Sequence, residues 1–175
     1  YGVTKLTSEQ LVLFYNRDIN RKFPACSVRL FSVYGERERP DKLYFNLIKS
    51  ILNDEEFPLF EGSENHLRSF TYVGDAMDGL IGVMENSEVC MGEIINIGND
   101  KPVKTSEGMR IIEEILGKKA KIVAKPKRPG DQLETHANIN KAKKLIGYNP
   151  KTPIREGLKR EAEWYKNKVH KKIKI

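Results

Sequence analysis

The stretch Ser27-Val28-Arg29-Leu30-Phe31-Ser32-Val33 constrains this chain most. It is rich in β-forming residues and nearly continuous in apolar character, and it follows directly on a helical pattern. A strand that is apolar on both faces has to be covered on both, and helices do the covering. An α/β sheet with parallel strands is the architecture this predicts.

The helical pattern ahead of the strand spans residues 2 to about 22. Leu6, Leu11, Leu13, Phe14 and Ile19 supply its apolar positions, and Phe23-Pro24 ends it. Tyr1 and Lys5 stand at its start, four apart and so on one face. A phenol titrates near ~10 in water. A cation held beside it favours the phenolate. The pair is therefore a candidate proton-transfer device. Taken alone, the spacing is common by chance and more often marks the plain start of an amphipathic helix.

Behind the strand, Tyr34-Gly35 opens a polar loop, Glu36-Arg37-Glu38-Arg39-Pro40-Asp41. It leaves the carboxyl end of a strand, where open α/β sheets hold their ligands. Its arginines suit an anion, or they pair with Glu36, Glu38 and Asp41 in a solvated loop.

The remaining chain alternates short strands and helices. A helix is expected over residues 43–53 and an extended piece over 57–60. A turn follows over 61–65 and a second extended piece over 68–73. The next helix runs from about Gly74 to Asn86, with Met77, Leu80, Ile81 and Met84 inward and Asp75 in its first turn as a cap. Residues 93–98 read as a strand. Thr105 is expected to cap a helix that Gly117 stops. Another strand covers 120–124, and residues 125–131 form a loop rich in Pro, Gly and cations. Asn138 or Asn140 starts a short helix ended by Gly147. Thr152-Pro153 opens the last helix as cap and first-turn residue, with Ile154, Leu158, Ala162 and Tyr165 at helical spacing.

At 175 residues the chain can bury a sizeable core. No apolar run approaches the roughly 20 residues that span a bilayer. The net charge of +7 owes much to Lys166, Lys168, Lys171, Lys172 and Lys174, read as a solvated helix end. Neither aromatic interleaving nor zinc-ligand spacing accompanies them, so nucleic-acid binding is not expected. Cys26 and Cys90 read as small buried hydrophobes, which points to a reducing, cytoplasmic setting. The three histidines, at 66, 136 and 170, form no metal-ligand cluster. No G-x-G-x-x-G follows a strand, so these residues include no turn for cradling a dinucleotide pyrophosphate.

Six stretches, in order over essentially the whole chain, resemble the C-terminal half of extended short-chain dehydrogenases acting on nucleotide sugars, the NAD-dependent epimerase/dehydratase family. Tyr1-Gly2-Val3-Thr4-Lys5 resembles the family's catalytic Tyr-x-x-x-Lys. Residues 28–35 resemble its next strand and turn. Arg68-Ser69-Phe70-Thr71-Tyr72-Val73-Gly74-Asp75 is similar to its Arg-Asp-Phe-hydrophobic-Tyr-Val-x-Asp segment. Asn96-Ile97-Gly98 is similar to its strand end, Arg128-Pro129-Gly130-Asp131 to its Arg-x-Gly-Asp loop, and residues 141–150 to its Lys-Ala-x-x-x-Leu-Gly-(Tyr/Trp)-x-Pro helix. The loop Arg37-Glu38-Arg39-Pro40-Asp41 most resembles the UDP-glucuronate 4-epimerase branch. Ser69 departs from the usual Asp, and Glu36 from a common Pro.

The resemblance implies that residues 1–35 end an NAD-binding Rossmann domain whose earlier part is not in this sequence. Residues 36–175 then form mainly a smaller mixed α/β substrate-binding domain, with some segments returning to the first. It implies epimerisation at C4 of a UDP-sugar through a transient 4-keto sugar, with dehydratase and UDP-glucuronate decarboxylase chemistry as relatives of that reaction. Tyr1 would be the phenolate base, and Lys5 would hold the nicotinamide ribose. Arg68 and Arg128 match positions that contact the diphosphate, Asp131 one near the nucleotide ribose, and Ser32 one beside sugar and phosphate. Arg37 would reach toward the sugar or its carboxylate. The alternatives pair Arg68 with Asp75 and use Asp131 to cap the turn after Gly130. A homodimer through the Tyr-Lys helix is also implied, with Leu11, Phe14 and Tyr15 available for the contact. The 175 residues alone are expected to be inactive.

Overall fold

A computed structural model describes residues 1–18 and 23–170. Helix α1 (Gly2–Arg17) is followed by β1 (Ser27–Leu30), β2 (Val33–Tyr34), α2 (Leu43–Asn53) and β3 (Glu56–Phe60). Next come β4 (Leu67–Arg68), β5 (Thr71–Tyr72), α3 (Val73–Glu85), the single turn α4 (Ser87–Cys90) and β6 (Ile94–Ile97). The rest is β7 (Val103–Lys104), α5 (Thr105–Leu116), β8 (Lys121–Lys125), β9 (Glu134–Thr135), α6 (Asn140–Ile146) and α7 (Ile154–Trp164). A wider helical turn over Tyr165–His170 continues α7. α1 ends at Arg17, where Asp18 is extended, short of the end expected near residue 22. Ile19, Lys171, Lys172 and Lys174 lie outside the described residues.

The parallel strand pairing expected from the sequence is present, as three separate two-stranded sheets. β1 pairs in parallel with β6, β2 with β5, and β3 with β8. In a three-stranded mixed sheet β4 lies between antiparallel β7 and parallel β9. Pro58 sits in β3, whose one ladder is with β8, where a missing N–H is tolerated on the free side.

The single strand expected over residues 27–33 is broken in two. Ser32 is left-handed, with φ 34°. Gly98 passes so near that a Cβ on it would stand 2.9 Å from the Phe31 Cβ. Beyond this crossing the chain leaves the β6 ladder. The Ser32 carbonyl instead accepts the Thr71 N–H at 3.2 Å, beside β5.

α3 forms where expected but is rotated in phase. Asp75, Ala76, Gly79 and Val83 are buried, whereas Met77, Ile81 and Met84 are exposed. The sheet dictates this. A Cβ at Gly79 would lie 2.6 Å from Ile97, so only small residues fit between helix and strand.

Two capping expectations are also corrected. Thr105 is the first residue of α5 rather than its cap, and its hydroxyl donates to the His66 carbonyl at 3.3 Å. Pro153 occupies the cap position of α7. Thr152, one residue earlier, donates its N–H (3.0 Å) and hydroxyl (3.1 Å) to Asp75. Asp75 also accepts the Lys151 N–H at 3.2 Å, so its carboxylate ties the approach to α7 instead of capping its own helix. Gly117 and Gly147 end their helices in the left-handed conformation, as expected.

The buried apolar residues form two clusters. One centres on Ile95 and Ile97 of β6, with Val83, Cys90, Ala137, Ile139 and Tyr148 around them. The other joins α2, α5 and α7 through Tyr44, Leu47, Ile48, Ile112, Leu158 and Tyr165, with Tyr34 and Phe70 against them. Each fully buried Leu or Ile contributes about 1.5–3 kcal/mol.

Candidate active site

Tyr1 caps the start of α1. Its carbonyl accepts the Lys5 N–H at 3.1 Å and the Thr4 hydroxyl at 2.8 Å. The helical spacing brings the Lys5 ammonium to 5.6 Å from the centroid of the Tyr1 ring. Both residues line a cavity of about 660 Å³ whose far wall is β1. The Tyr1 side chain is 94% exposed there. The bidentate pair between Glu9 and Arg29 holds α1 against this strand.

A second cavity, of about 570 Å³, collects Ser32, Arg68, Arg128 and Asp131. Lys42, Glu38 and His66 also line it, and Phe57, Phe60 and Phe70 supply apolar wall. β4 carries Arg68 inward. Its Nη2 donates to the Gln132 carbonyl at 2.6 Å and approaches Asp131 Oδ1 at 3.5 Å, while Nη1 donates to the Leu67 carbonyl at 3.0 Å. Arg68 therefore pairs with Asp131 and not with Asp75. Arg128 lies on the exposed loop after β8, and its guanidinium sits 4.0 Å from the centroid of the Phe60 ring. That stacking holds a cation at the rim while its N–H groups stay available.

His66 is a cleft residue that the sequence reading missed. It is buried, with Nδ1 3.2 Å from Arg68 Nη2 and 3.6 Å from Asp131 Oδ2. Guanidinium can only donate, so Nδ1 accepts and the ring proton belongs on Nε2. The signal was present in the spacing, because residues two apart on extended chain face the same side.

Arg37 does not join this group. Its backbone is left-handed, φ 68°, and its side chain lines a separate cavity of about 720 Å³ with Glu36, Tyr72, Trp164 and Lys168. Gly35, at φ 129°, and Arg37 turn the loop twice, and Glu38 takes the inward position instead. Arg39 pairs with Asp41 at 2.9 Å. The two departures noted in the sequence both find partners. Ser69 is fully buried, accepting the Ala137 N–H at 2.9 Å and donating to the Thr135 carbonyl at 3.2 Å. Glu36 accepts the Tyr72 hydroxyl at 2.9 Å.

The arrangement combines a phenol–ammonium pair on one cavity with two arginines and a lysine around another, a donor set suited to a phosphate ester. Among the described residues no group of His, Cys, Asp and Glu could hold a metal ion, and no helix is long and apolar enough to cross a membrane.

Parallel strand pairing in an α/β fold, Tyr-x-x-x-Lys helix and cationic cleft together define the class of short-chain dehydrogenase-like folds. Residues 1–98, more than half of the chain, match the NAD dependent epimerase/dehydratase family, and the chain belongs to that family. It is 37% identical over 161 residues to an uncharacterized UDP-glucose epimerase, YtcB, of Bacillus subtilis, covering 92% of this chain and 50% of that protein. It is 35% identical over 180 residues to UDP-glucuronate 4-epimerase 3 of Arabidopsis thaliana, covering 94% of this chain and 41% of that one. Among solved structures it superposes on UDP-glucuronic acid 4-epimerase from Bacillus cereus, in complex with UDP-glucuronic acid and NAD, with a TM-score of 0.88 at 35% identity. That match covers 95% of this chain and 52% of the other. The chain thus spans about half the length of the curated relatives it matches.

Proposed function

We propose that this chain supplies the sugar-nucleotide cleft and the acid–base pair of an NAD-dependent enzyme that epimerises a UDP-sugar of the glucuronate or glucose type at C4. The observation that carries the reading is the convergence of Arg68, Arg128, Lys42 and Ser32 on one cleft, in a chain whose relatives include UDP-glucuronate 4-epimerases.

Arg68, braced by Asp131, His66 and the Gln132 carbonyl, presents a fixed cation to a diphosphate. Arg128 closes on the other side from its seat on Phe60. The apolar wall formed by Phe57, Phe60 and Phe70 suits the flat face of a base. Tyr1 exchanges the proton of the sugar C4 hydroxyl at its Oη, with the Lys5 ammonium beside it. When bound, NAD supplies the hydride-transfer chemistry. Of the residues in this chain, Tyr1 and Lys5 fit its ribose, offering a hydroxyl and an ammonium on an open cavity wall, whereas no glycine-rich turn is present for its pyrophosphate. The cluster around β6 belongs, in this reading, to the dinucleotide-binding domain, and the cluster of α2, α5 and α7 to the sugar-nucleotide domain.

Titration calorimetry with UDP tests the cleft. Saturable binding is expected, weakened about tenfold or more by Arg128→Ala, the loss of one charge-assisted contact. A chain that binds no UDP, or binds it equally well without Arg128, overturns the reading.

A further inference from the structure

Glu161 on α7 is a buried acid that the reading above does not use. Its side chain is fully enclosed, and neither carboxyl oxygen meets a donor in regular hydrogen-bond geometry. The hydroxyl of Tyr44, equally enclosed, is unpartnered as well. An isolated carboxylate in such surroundings does not stay charged.

The carboxyl beside it is Glu38, close enough for each to shift the other. Burial, reinforced by the charge of Glu38, pushes Glu161 up to about 10. Burial also pushes Glu38 up to about 7, against the pull of the Phe45 N–H and of Glu161 acting as a donor. Glu38 joins three parts of the fold. Its Oε2 accepts the Phe45 N–H at 3.0 Å in the first turn of α2, its own N–H donates to the Gly35 carbonyl at 3.0 Å, and it lines the cationic cleft. The other groups acting on the pair are Asp41 and Lys42 on Glu38, and Glu36 and the Gly35 N–H on Glu161, the N–H favouring its charged form. Tyr34 on β2 and Tyr44 on α2 feel the charge of Glu161 and are flanked in turn by Asp75 and Arg160, and by Glu107 on α5. Burial pushes both phenols up, so they bring no further anion.

We propose that Glu161 is a positioning residue, which keeps a proton and donates it as a hydrogen bond to Glu38, so fixing the loop Gly35–Asp41 as one wall of the cleft. Two adjacent buried carboxylates repel. Loss of the shared proton therefore releases Glu38 and, with it, the wall. The effect on nucleotide binding rests on the function proposed above, whereas the shared proton itself does not.

The experiment compares the chain with Glu161→Gln, which keeps a donor, and Glu161→Leu, which keeps only bulk. Infrared spectroscopy at a pH between the values of the two carboxyls, about 7 and about 10, is expected to show a neutral carboxyl band in the parent that is missing from both variants. In calorimetry with UDP, Glu161→Gln matches the parent near neutral pH. The parent then falls behind it as pH rises through about 10, by at most about tenfold per pH unit for one linked proton. Glu161→Gln shares the titrations of the nucleotide and so cancels them. Glu161→Leu binds more weakly than Glu161→Gln throughout.

A parent without the band, or a parent-to-Gln affinity ratio that stays constant with pH, overturns the proposal. Should no variant bind UDP, the function proposed for the cleft fails, and thermal unfolding decides the latch. A carboxyl with a raised folded value stabilises fully below its unfolded value and loses that contribution as pH rises. The parent should therefore lose stability relative to Glu161→Gln between about 4.5 and about 10. A constant difference in Tm across that range overturns the latch.

Discussion

Glu9 receives both Nε and Nη2 of Arg29 at 2.7 Å, a two-pronged ion pair that clamps α1 to β1. The carboxylate is buried while the guanidinium is half exposed, and the hydrogen bonds from Arg29 hold the Glu9 carboxyl below its ordinary range. Removing the arginine strands a buried carboxylate. Allowing for the solvent at Arg29, Arg29→Met is expected to destabilise the chain by about 1–2 kcal/mol. Thermal unfolding at neutral pH checks it, the parent melting several degrees higher.

The sign of the pH dependence follows from the same pair. A carboxyl lowered in the folded state contributes stability above its unfolded value, near 4.5, and loses it as pH falls further. The gap in Tm between the parent and Glu9→Gln is therefore expected to narrow in acid. A gap that widened as pH fell would show that the pair is not ionic.

Gly108 and Gly157 face phenol oxygens. A Cβ on Gly108 would stand 2.2 Å from the Tyr44 hydroxyl, and one on Gly157 2.2 Å from that of Tyr34. Both phenols are packed in the cluster of α2, α5 and α7 and cannot swing away freely. Alanine at either position should lose more through overpacking, about 1–3 kcal/mol, than it gains from helix propensity, about 1 kcal/mol. Urea unfolding with an unchanged slope and an earlier midpoint is the expected result for each.

These glycines mark the limit of what could be read from the sequence. Gly117 and Gly147 were legible as helix stops, because a left-handed terminus is a local demand. The break at Ser32 was not legible. Residues 27–33 carry a nearly continuous β-forming pattern, and the backbone that packs against the break, at Gly98, lies far along the chain. The phase of α3 escaped for a similar reason. Its large apolar residues mark a hydrophobic stripe, yet the tight approach to Ile97 admits Ala76, Gly79 and Val83 instead. In the candidate site, Arg68, Arg128, Asp131 and Ser32 were found by motif and do share a cleft. Arg37 was assigned by its position in the loop, but two positive-φ residues turn it toward a different cavity. His66 carried no motif, only its two-residue offset from Arg68.

Phe60 should tune the cleft through Arg128 alone. The ring lies 4.0 Å below the guanidinium and has no hydrogen bond to lose. Phe60→Leu keeps apolar bulk and removes the π face, which is worth about 0.5–1 kcal/mol at a site this exposed. UDP affinity should then drop about two- to fivefold, less than in Arg128→Ala. In the double variant the Phe60 effect should vanish, because its cation is gone. Calorimetry on the four proteins gives the coupling, and purely additive losses would remove Phe60 from the account.

Tyr1→Phe separates chemistry from binding. What Tyr1 gives the fold is its backbone carbonyl, accepting from Thr4 and Lys5, and phenylalanine supplies the same atom. Tyr1 lines the cavity beside β1 and not the cleft that holds Arg68 and Arg128. Folding and UDP affinity should therefore be unchanged. In the NAD-dependent reaction of the whole enzyme to which this chain is proposed to contribute, kcat should fall about 10²–10⁴-fold, the range for a missing acid–base group. A variant that kept kcat would move the proton-transfer role to another residue, and one that lost UDP affinity instead would make Tyr1 a binding residue.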